Sequence, residues 1–222
     1  MDGSAHKTRA RVLLISDHPI GRIGLETCLR KLAGASLSGV VQTVRQALAQ
    51  IPKLKPKLII MDVCSPSENH LSHIKDLHSV FPEIPILTFS NQAEPLYTER
   101  ALRLGAKGYV TEHCGAERLN FSARRLLEGH VCVPEAAAET MLMGMASAKS
   151  AARSPMRLLS ERELQVFEML GEGKSIAEAA TELGISRKTV GTHRSQIRQK
   201  LGARTAYDLL DFAFRWVQAQ KS

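Results

Sequence analysis

LSERELQVFEMLGEGKSIAEAATELGISRKTVGTHRSQIRQKLG, residues Leu159–Gly202, reads as three helices separated by two breaks. Ser160 with Glu163 three residues later is the spacing of a capping box, which satisfies the free amides at a helix start. Leu164, Phe167, Met169 and Leu170 give that helix an apolar side, and Gly171 with Gly173 ends it. Ser175 and Glu178 repeat the box ahead of Ala179, Ala180 and Leu183. Gly184 supplies a tight turn and Ile185 a core plug. Ser186 then caps a third helix predicted to run to Leu201, with Gly202 as its stop.

On that third helix Val190, Ile197 and Leu201 recur at i, i+7 and i+11 and define a buried stripe. The opposite face carries Lys188, Gly191, Thr192, Ser195, Arg198 and Gln199, with Arg187 and Arg194 on its flanks. From Ser186 to Arg204 there are six basic residues and no Asp or Glu, whereas Glu161–Glu182 carries six acids against Arg162 and Lys174. A salt-laced solvent helix usually mixes both signs. One that is apolar on one side and basic with small polar groups on the other suits the DNA major groove. There hydroxyls and small residues meet base edges, and Lys or Arg meet phosphates.

The residues Leu159-Ser160, Arg162-Glu163, Val166, Leu170, Gly173, Ser175, Glu178, Ala180, Leu183, Ile185-Ser186, Lys188-Thr189-Val190, His193, Ile197 and Lys200-Leu201-Gly202 stand in the register of the LuxR/NarL/FixJ type of DNA-binding domain, which this half resembles. The resemblance implies a four-helix helix-turn-helix unit whose recognition helix, residues 187–201, faces double-stranded DNA. The implied contacts are Arg187, Lys188, Thr189, Gly191, Thr192, Arg194, Ser195 and Arg198. Gly191 stands where the family commonly has a larger residue, and Ile176-Ala177 replaces a usually polar pair. A last helix, Thr205–Gln220, stripes Ala206, Leu209, Leu210, Ala213, Phe214 and Val217. Part of that stripe completes the core, and the rest fits a homodimer reading paired half-sites.

Ahead of this unit, Ala146–Pro155 is Ala- and Ser-rich and reads as a flexible tether, after a candidate helix at Ala136–Met145. Earlier still, short apolar runs (Arg11–Ser16, Leu37–Val41, Lys57–Met61, Ile84–Phe89, Gly108–Thr111) alternate with amphipathic stretches (Ile20–Leu32, Thr43–Ile51, His70–Val80, Ala93–Leu104, Ala116–Leu127). Pro52 is expected to stop the second helix. Five strand–helix units with continuously apolar strands predict a doubly wound, five-stranded parallel sheet covered on both faces. The expected organisation is therefore α/β plus all-α: a sheet domain at 1–133, a linker at 134–157 and a helical domain at 158–222.

In such sheets function collects beyond the C-terminal strand ends. Those ends carry Ser16-Asp17, Asp62, Ser90 and Glu112. ISDHP (Ile15–Pro19), IIMDVCSP (Ile59–Pro66), ILTFS (Ile86–Ser90) and LGAKGYV (Leu104–Val110) together resemble the receiver domain of bacterial response regulators over residues 10–130. The resemblance makes Asp62 the phosphoacceptor, Asp17 one Mg²⁺-holding acid and Ser90 the hydroxyl switch. Two positions depart: Ser16 replaces the first acid, and Glu112 the phosphate-binding Lys. Mg²⁺ wants anionic oxygens, so Asp17 and Asp62 make at best a weak metal site. Glu112 sets a negative charge where phosphate should be met by a positive one. The expectation is a degenerate receiver in which Asp62 is mainly structural. The bland reading of Asp17 and Asp62 is helix capping at strand ends.

The whole chain has 222 residues and a net charge of +8, which favours an acidic partner without choosing among nucleic acid, membrane and protein. Cys28, Cys64, Cys114 and Cys132 show no CxxC spacing, so neither a zinc site nor a disulfide framework is expected. The apolar run Val12–Ile15 is too short for a signal peptide, and no window spans a membrane, so a cytoplasmic protein is expected. Three functions compete: a DNA-binding regulator not gated by Mg²⁺-dependent phosphorylation, a conventional regulator switched at Asp62 by a sensor histidine kinase, and an adaptor binding a regulatory protein through its receiver. Nothing points to an enzyme.

Overall fold

A computed structural model describes residues 9–64, 70–91, 95–146 and 158–221. Two compact units divide between Met141 and Leu142.

In the first unit five strands, β1 Ala10–Ile15, β2 Ala35–Val41, β3 Leu58–Asp62, β4 Ile86–Ser90 and β5 Gly108–Thr111, form one parallel sheet in the order β2-β1-β3-β4-β5. Helices α1 Pro19–Arg30, α2 Val44–Leu54, α3 His70–Val80, α4 Pro95–Arg103 and α5 Gly115–Leu127 connect them, with a short 3₁₀ turn at Glu112–Cys114 before α5. The sheet separates two cores, as a doubly wound fold requires. Leu13, Ile59, Ile86 and Tyr109 face one, with α2, α3 and α4. Val12, Leu58, Leu87 and Val110 face the other, with α1 and α5. Every residue of β3 is buried, because β3 is flanked by β1 and β4 and roofed on both sides.

Pro52 does not stop α2: the helix continues to Leu54 and closes at Lys55, whose φ of 46° is left-handed. A proline so near the end forfeits one amide, while Lys55 N–H still reaches the Ile51 carbonyl at 2.8 Å and terminates the turn. Strand and helix ends otherwise match expectation or differ from it by one or two residues. The turn after α4 depends on Gly105, at φ 112°, with no room for a Cβ because His78 Cγ would lie 2.3 Å from it.

A further helix, α6 Glu135–Ala146, occupies the first half of the segment expected as linker. The tether expected at 146–155 lies outside the described residues apart from Ala146.

The second unit is α7 Glu161–Gly171, α8 Ile176–Glu182, α9 Arg187–Leu201 and α10 Ala206–Lys221. Both expected capping boxes form, at Ser160/Glu163 and Ser175/Glu178. Thr205 and Asp208 exchange the same pair of bonds before α10, at 2.9 and 3.0 Å. Val166, Phe167, Ala179, Ala180, Val190, Ile197, Leu209 and Ala213 build the core. Phe167 meets Phe212 edge-on at 5.7 Å and Trp216 at 5.5 Å. Gly171 permits a close approach of α7 to α10: a Cβ there would sit 2.4 Å from the Ala213 carbonyl oxygen.

Candidate functional site

Two sites were expected, one in each unit. At the C-terminal rim of the sheet, β3 delivers Asp62 to a buried position, 3% exposed. Ser16, the first residue after β1, is also buried, and its hydroxyl donates to Asp62 Oδ2 at 2.7 Å. The Cys64 amide donates to Asp62 Oδ1 at 3.0 Å. Both oxygens of the expected acceptor are thus engaged by this chain's own groups. The start of α1 lies over the same carboxylate, where a Cβ on Gly21 would come within 3.4 Å of Asp62 Oδ2. His18 caps that helix, its Nδ1 accepting from the Gly21 amide at 3.1 Å. At α1 the capping role weighed for Asp17 thus falls to His18.

Asp17 is half-buried and Ser90 buried, so β1, β3 and β4 do bring Asp17, Asp62 and Ser90 to one rim. Glu112 opens the 3₁₀ turn after β5 with its side chain 45% exposed and its carboxylate 3.9 Å from His113 Nε2. It does not escape the rim electrostatically. Burial pushes the Cys64 thiol above its ordinary range, and the charges of Asp62 and Glu112 push it further the same way. A resident Mg²⁺ fits poorly: where the first acid would stand there is a neutral hydroxyl already bonded to Asp62. Among the described residues no group of three His, Cys, Asp or Glu side chains gathers into a metal site.

Two neighbours went unnoticed as site residues. In the sequence Cys64 stands out only as part of IIMDVCSP and as one of four cysteines without CxxC spacing. Tyr109 lies 1% exposed on β5 and shares a side-chain hydrogen bond with Ser90; burial drives its phenol well above the usual tyrosine range, which the Ser90 bond partly opposes. A buried tyrosine needs a partner for its hydroxyl, and a polar residue two positions along the facing strand was the available signal. The strands pair Thr88 with Tyr109 and Ser90 with Thr111.

In the second unit, Ser186 starts α9 by accepting from the Thr189 amide at 3.0 Å, and its hydroxyl meets the Thr189 hydroxyl at 2.8 Å. Gly202, at φ 69°, closes the helix. Val190 and Ile197 are fully buried, and His193 shares their strip with its Nδ1 enclosed. On the outer side Lys188, Thr192, Ser195 and Arg198 are exposed, with the half-buried Gly191 between them. Arg187 and Thr189 are exposed near the N-terminus, and Arg194 is half-buried at the margin of the packed strip. Among the described residues no ion pair involves Arg187, Lys188, Arg194 or Arg198.

Three other basic groups are engaged within the unit. Lys174 bridges Glu172 at 3.1 Å and Glu182 at 2.8 Å. Arg162 donates to the Leu183 carbonyl at the end of α8. Lys200 turns inward to Glu163 at 2.6 Å. Arg187, Lys188, Arg194 and Arg198 thus leave a positive strip along the outer side of α9, with Arg204 exposed just beyond its end. The strip can meet phosphates while its small residues approach base edges.

Two family models match the chain: the receiver domain of response regulators over residues 12–123, and the luxR family of bacterial regulatory proteins over residues 157–213. The virulence-factor transcription regulator BvgA of Bordetella pertussis is 30% identical over 205 residues, 92% of this chain and 97% of that protein. The response regulator GacA of Pseudomonas protegens is 28% identical, covering 92% and 95%. Among solved structures, the RcsB response regulator of Salmonella typhimurium superposes with a TM-score of 0.65 at 22% identity, covering 93% of this chain and 98% of that one. RcsB bound to the promoter rprA gives 0.62 at 23% identity, over 93% and 98%. Among the described residues no helix is long and apolar enough to cross a membrane.

Proposed function

We propose, on the premise that the chain belongs to the response-regulator family with a luxR-type output unit, that it is a sequence-specific DNA-binding transcription regulator of the two-component type. The observation that carries this is the outer strip of α9, where Lys188 and Arg198 stand exposed without acidic partners on either side of Gly191, Thr192 and Ser195. Arg187, Thr189 and Arg194 extend the contact set at its edges. Solved RcsB complexes with promoter DNA and as paired dimers support the same reading. We assign the receiver to residues 1–133, the connector to 134–157 and the DNA-binding unit to 158–222, in a cytoplasmic protein. The homodimer is assigned to α10, where Tyr207, Leu210 and Phe214 are 77%, 40% and 54% exposed beside the core residues Leu209 and Ala213. Selection of duplexes from a random pool tests the reading. Enrichment of a twofold-related sequence, bound with steep salt dependence, is expected; absence of any preferred duplex overturns it.

The receiver is assigned to a mode that does not depend on Mg²⁺-supported phosphoryl transfer. Ser16 and Cys64 occupy both oxygens of Asp62, and Glu112 repels an arriving phosphoryl group. The partner acting on it is a sensor kinase in a non-phosphorylating complex or another regulatory protein. Incubation with Mg²⁺ and a small acyl phosphate decides this. Stable modification of Asp62 with a gain in DNA affinity overturns the assignment in favour of conventional phosphorylation. An adaptor function independent of DNA would require Lys188→Ala with Arg198→Ala to leave regulation in cells intact.

A further inference from the structure

Gly191 sits in the middle of α9, five residues into a fifteen-residue helix, where glycine lowers helix stability by its backbone freedom. Two other helix glycines have a reason inside the fold, whereas Gly24 of α1, like Gly191, faces open space. Gly171 is held by the Ala213 carbonyl, and Gly21 by His18 and Asp62. Gly191 has none: a Cβ built there meets no heavy atom within 4 Å, and its φ is not in the left-handed region. The residue therefore weakens the helix without relieving any contact in the protein.

Its surroundings indicate where the compensation lies. Lys188, Thr192, Ser195 and Arg198 share its strip. The Thr192 hydroxyl donates to the Lys188 carbonyl at 3.1 Å, and the Ser195 hydroxyl donates to the Gly191 carbonyl at 3.1 Å. Both small side chains lie back along the helix. Gly191 is thus the floor of a shallow notch, with a free cation towards either end.

Resting on the DNA-binding reading above, we propose that Gly191 is a specificity-determining residue: the missing side chain sets how deeply α9 enters the major groove and so which base edges the Thr192 and Ser195 hydroxyls reach. A methyl group at the floor of the notch would hold the helix off the bases while leaving the flanking phosphate contacts in place. Stability and recognition are then opposed at one position.

The experiment uses the full chain and compares wild type, Gly191→Ala and Gly191→Ser. Gly24 of α1, which also faces open space, gives Gly24→Ala as a control for helix propensity alone. Affinities are measured on the duplex selected by the wild-type protein and on a scrambled duplex of equal length, across a salt series. Gly191→Ala is expected to melt at higher temperature, to bind the selected duplex at least tenfold more weakly, and to keep its affinity for the scrambled duplex and its salt slope. Gly191→Ser is expected to lose selectivity likewise, and Gly24→Ala to melt higher with unchanged DNA binding. Binding of the selected duplex by Gly191→Ala within twofold of wild type overturns the proposal. So does a lower melting temperature, which would mean that the fold needs the glycine. Failure of the wild-type protein to prefer any duplex would instead remove the DNA-binding reading and this proposal together.

Discussion

Lys200 Nζ lies 2.6 Å from Glu163 Oε2, joining the last turn of α9 to the first turn of α7. The Glu163 side chain is 4% exposed, and its Oε2 also accepts from the Ser160 amide at 2.7 Å. One carboxylate therefore caps a helix and anchors the recognition helix to it. Burial alone would raise the Glu163 pKa, but the bonds from Lys200 and Ser160 outweigh it and hold the group below its ordinary value.

That balance gives a pH dependence. A carboxyl whose pKa is lower folded than unfolded contributes stability above its unfolded value, near 4.3, and loses it as pH falls through the folded value. Glu178 and Asp208, lowered by their hydrogen bonds to Ser175 and Thr205, act in the same direction. Thermal melts of the wild-type protein should show the helical unit weakening below about pH 4.5. Lys200→Met should cost about 1–2 kcal/mol at neutral pH and flatten that acid limb, since the exposed end of the pair is screened. Glu163→Ala should cost more, about 2–4 kcal/mol, because cap and anchor go together. An unchanged melting profile in either variant would contradict the anchoring role.

The outer strip of α9 makes a separable prediction. Lys188→Ala and Arg198→Ala should each weaken binding to all duplexes by about 1 kcal/mol and reduce the slope of log K against log salt by about 1. Lys200→Met, whose charge is committed inside the domain, should leave that slope unchanged at temperatures where the variant is folded. The salt series thus distinguishes two lysines on the same helix.

In the receiver, Ser16→Ala removes the hydroxyl that donates to buried Asp62. It should destabilise the sheet unit by about 1–2 kcal/mol, the cost of leaving a buried acceptor short of a donor. Ser16→Asp together with Glu112→Lys should convert the rim to one that takes Mg²⁺ and accepts a phosphoryl group on Asp62. Mass spectrometry after treatment with a small acyl phosphate reads the outcome. Labelling of wild type and double variant to the same extent would show that neither departure matters.

Gly171→Ala tests the packing of α7 against α10. Its Cβ would meet the Ala213 carbonyl oxygen at 2.4 Å and Val217 Cγ2 at 2.6 Å, and backbone cannot swing away as a flexible side chain could. A loss of about 1–3 kcal/mol is expected by chemical denaturation, as for other overpacked sites.

Most of the architecture was legible in order along the chain, because it rests on local signals. Capping boxes at Ser160/Glu163 and Ser175/Glu178, the glycine stop at Gly202 and the continuously apolar strands each report a choice made within a few residues. They announced an α/β unit followed by a helical one, and they placed Asp17, Asp62 and Ser90 at strand ends. The length of α2 was misjudged for the same reason: Pro52 is a strong local signal, yet a proline in the last turn leaves the closing bond from Lys55 to Ile51 intact.

The partners of side chains were decided by tertiary structure alone. Lys200 counted with Lys188 and Arg198 in the basic run, but a carboxylate 37 positions away pairs its charge. Ser16 read as a missing acid, and only the adjacency of β1 and β3 turned its hydroxyl onto Asp62, 46 positions on. Tyr109 and Ser90 met because β4 and β5 pair in one register. Periodicity and capping fix where elements begin and which face is apolar, since both depend on neighbours in sequence. Which charge stays free, and which buried polar atom finds a partner, depends on contacts across the fold, and no local pattern carries that information.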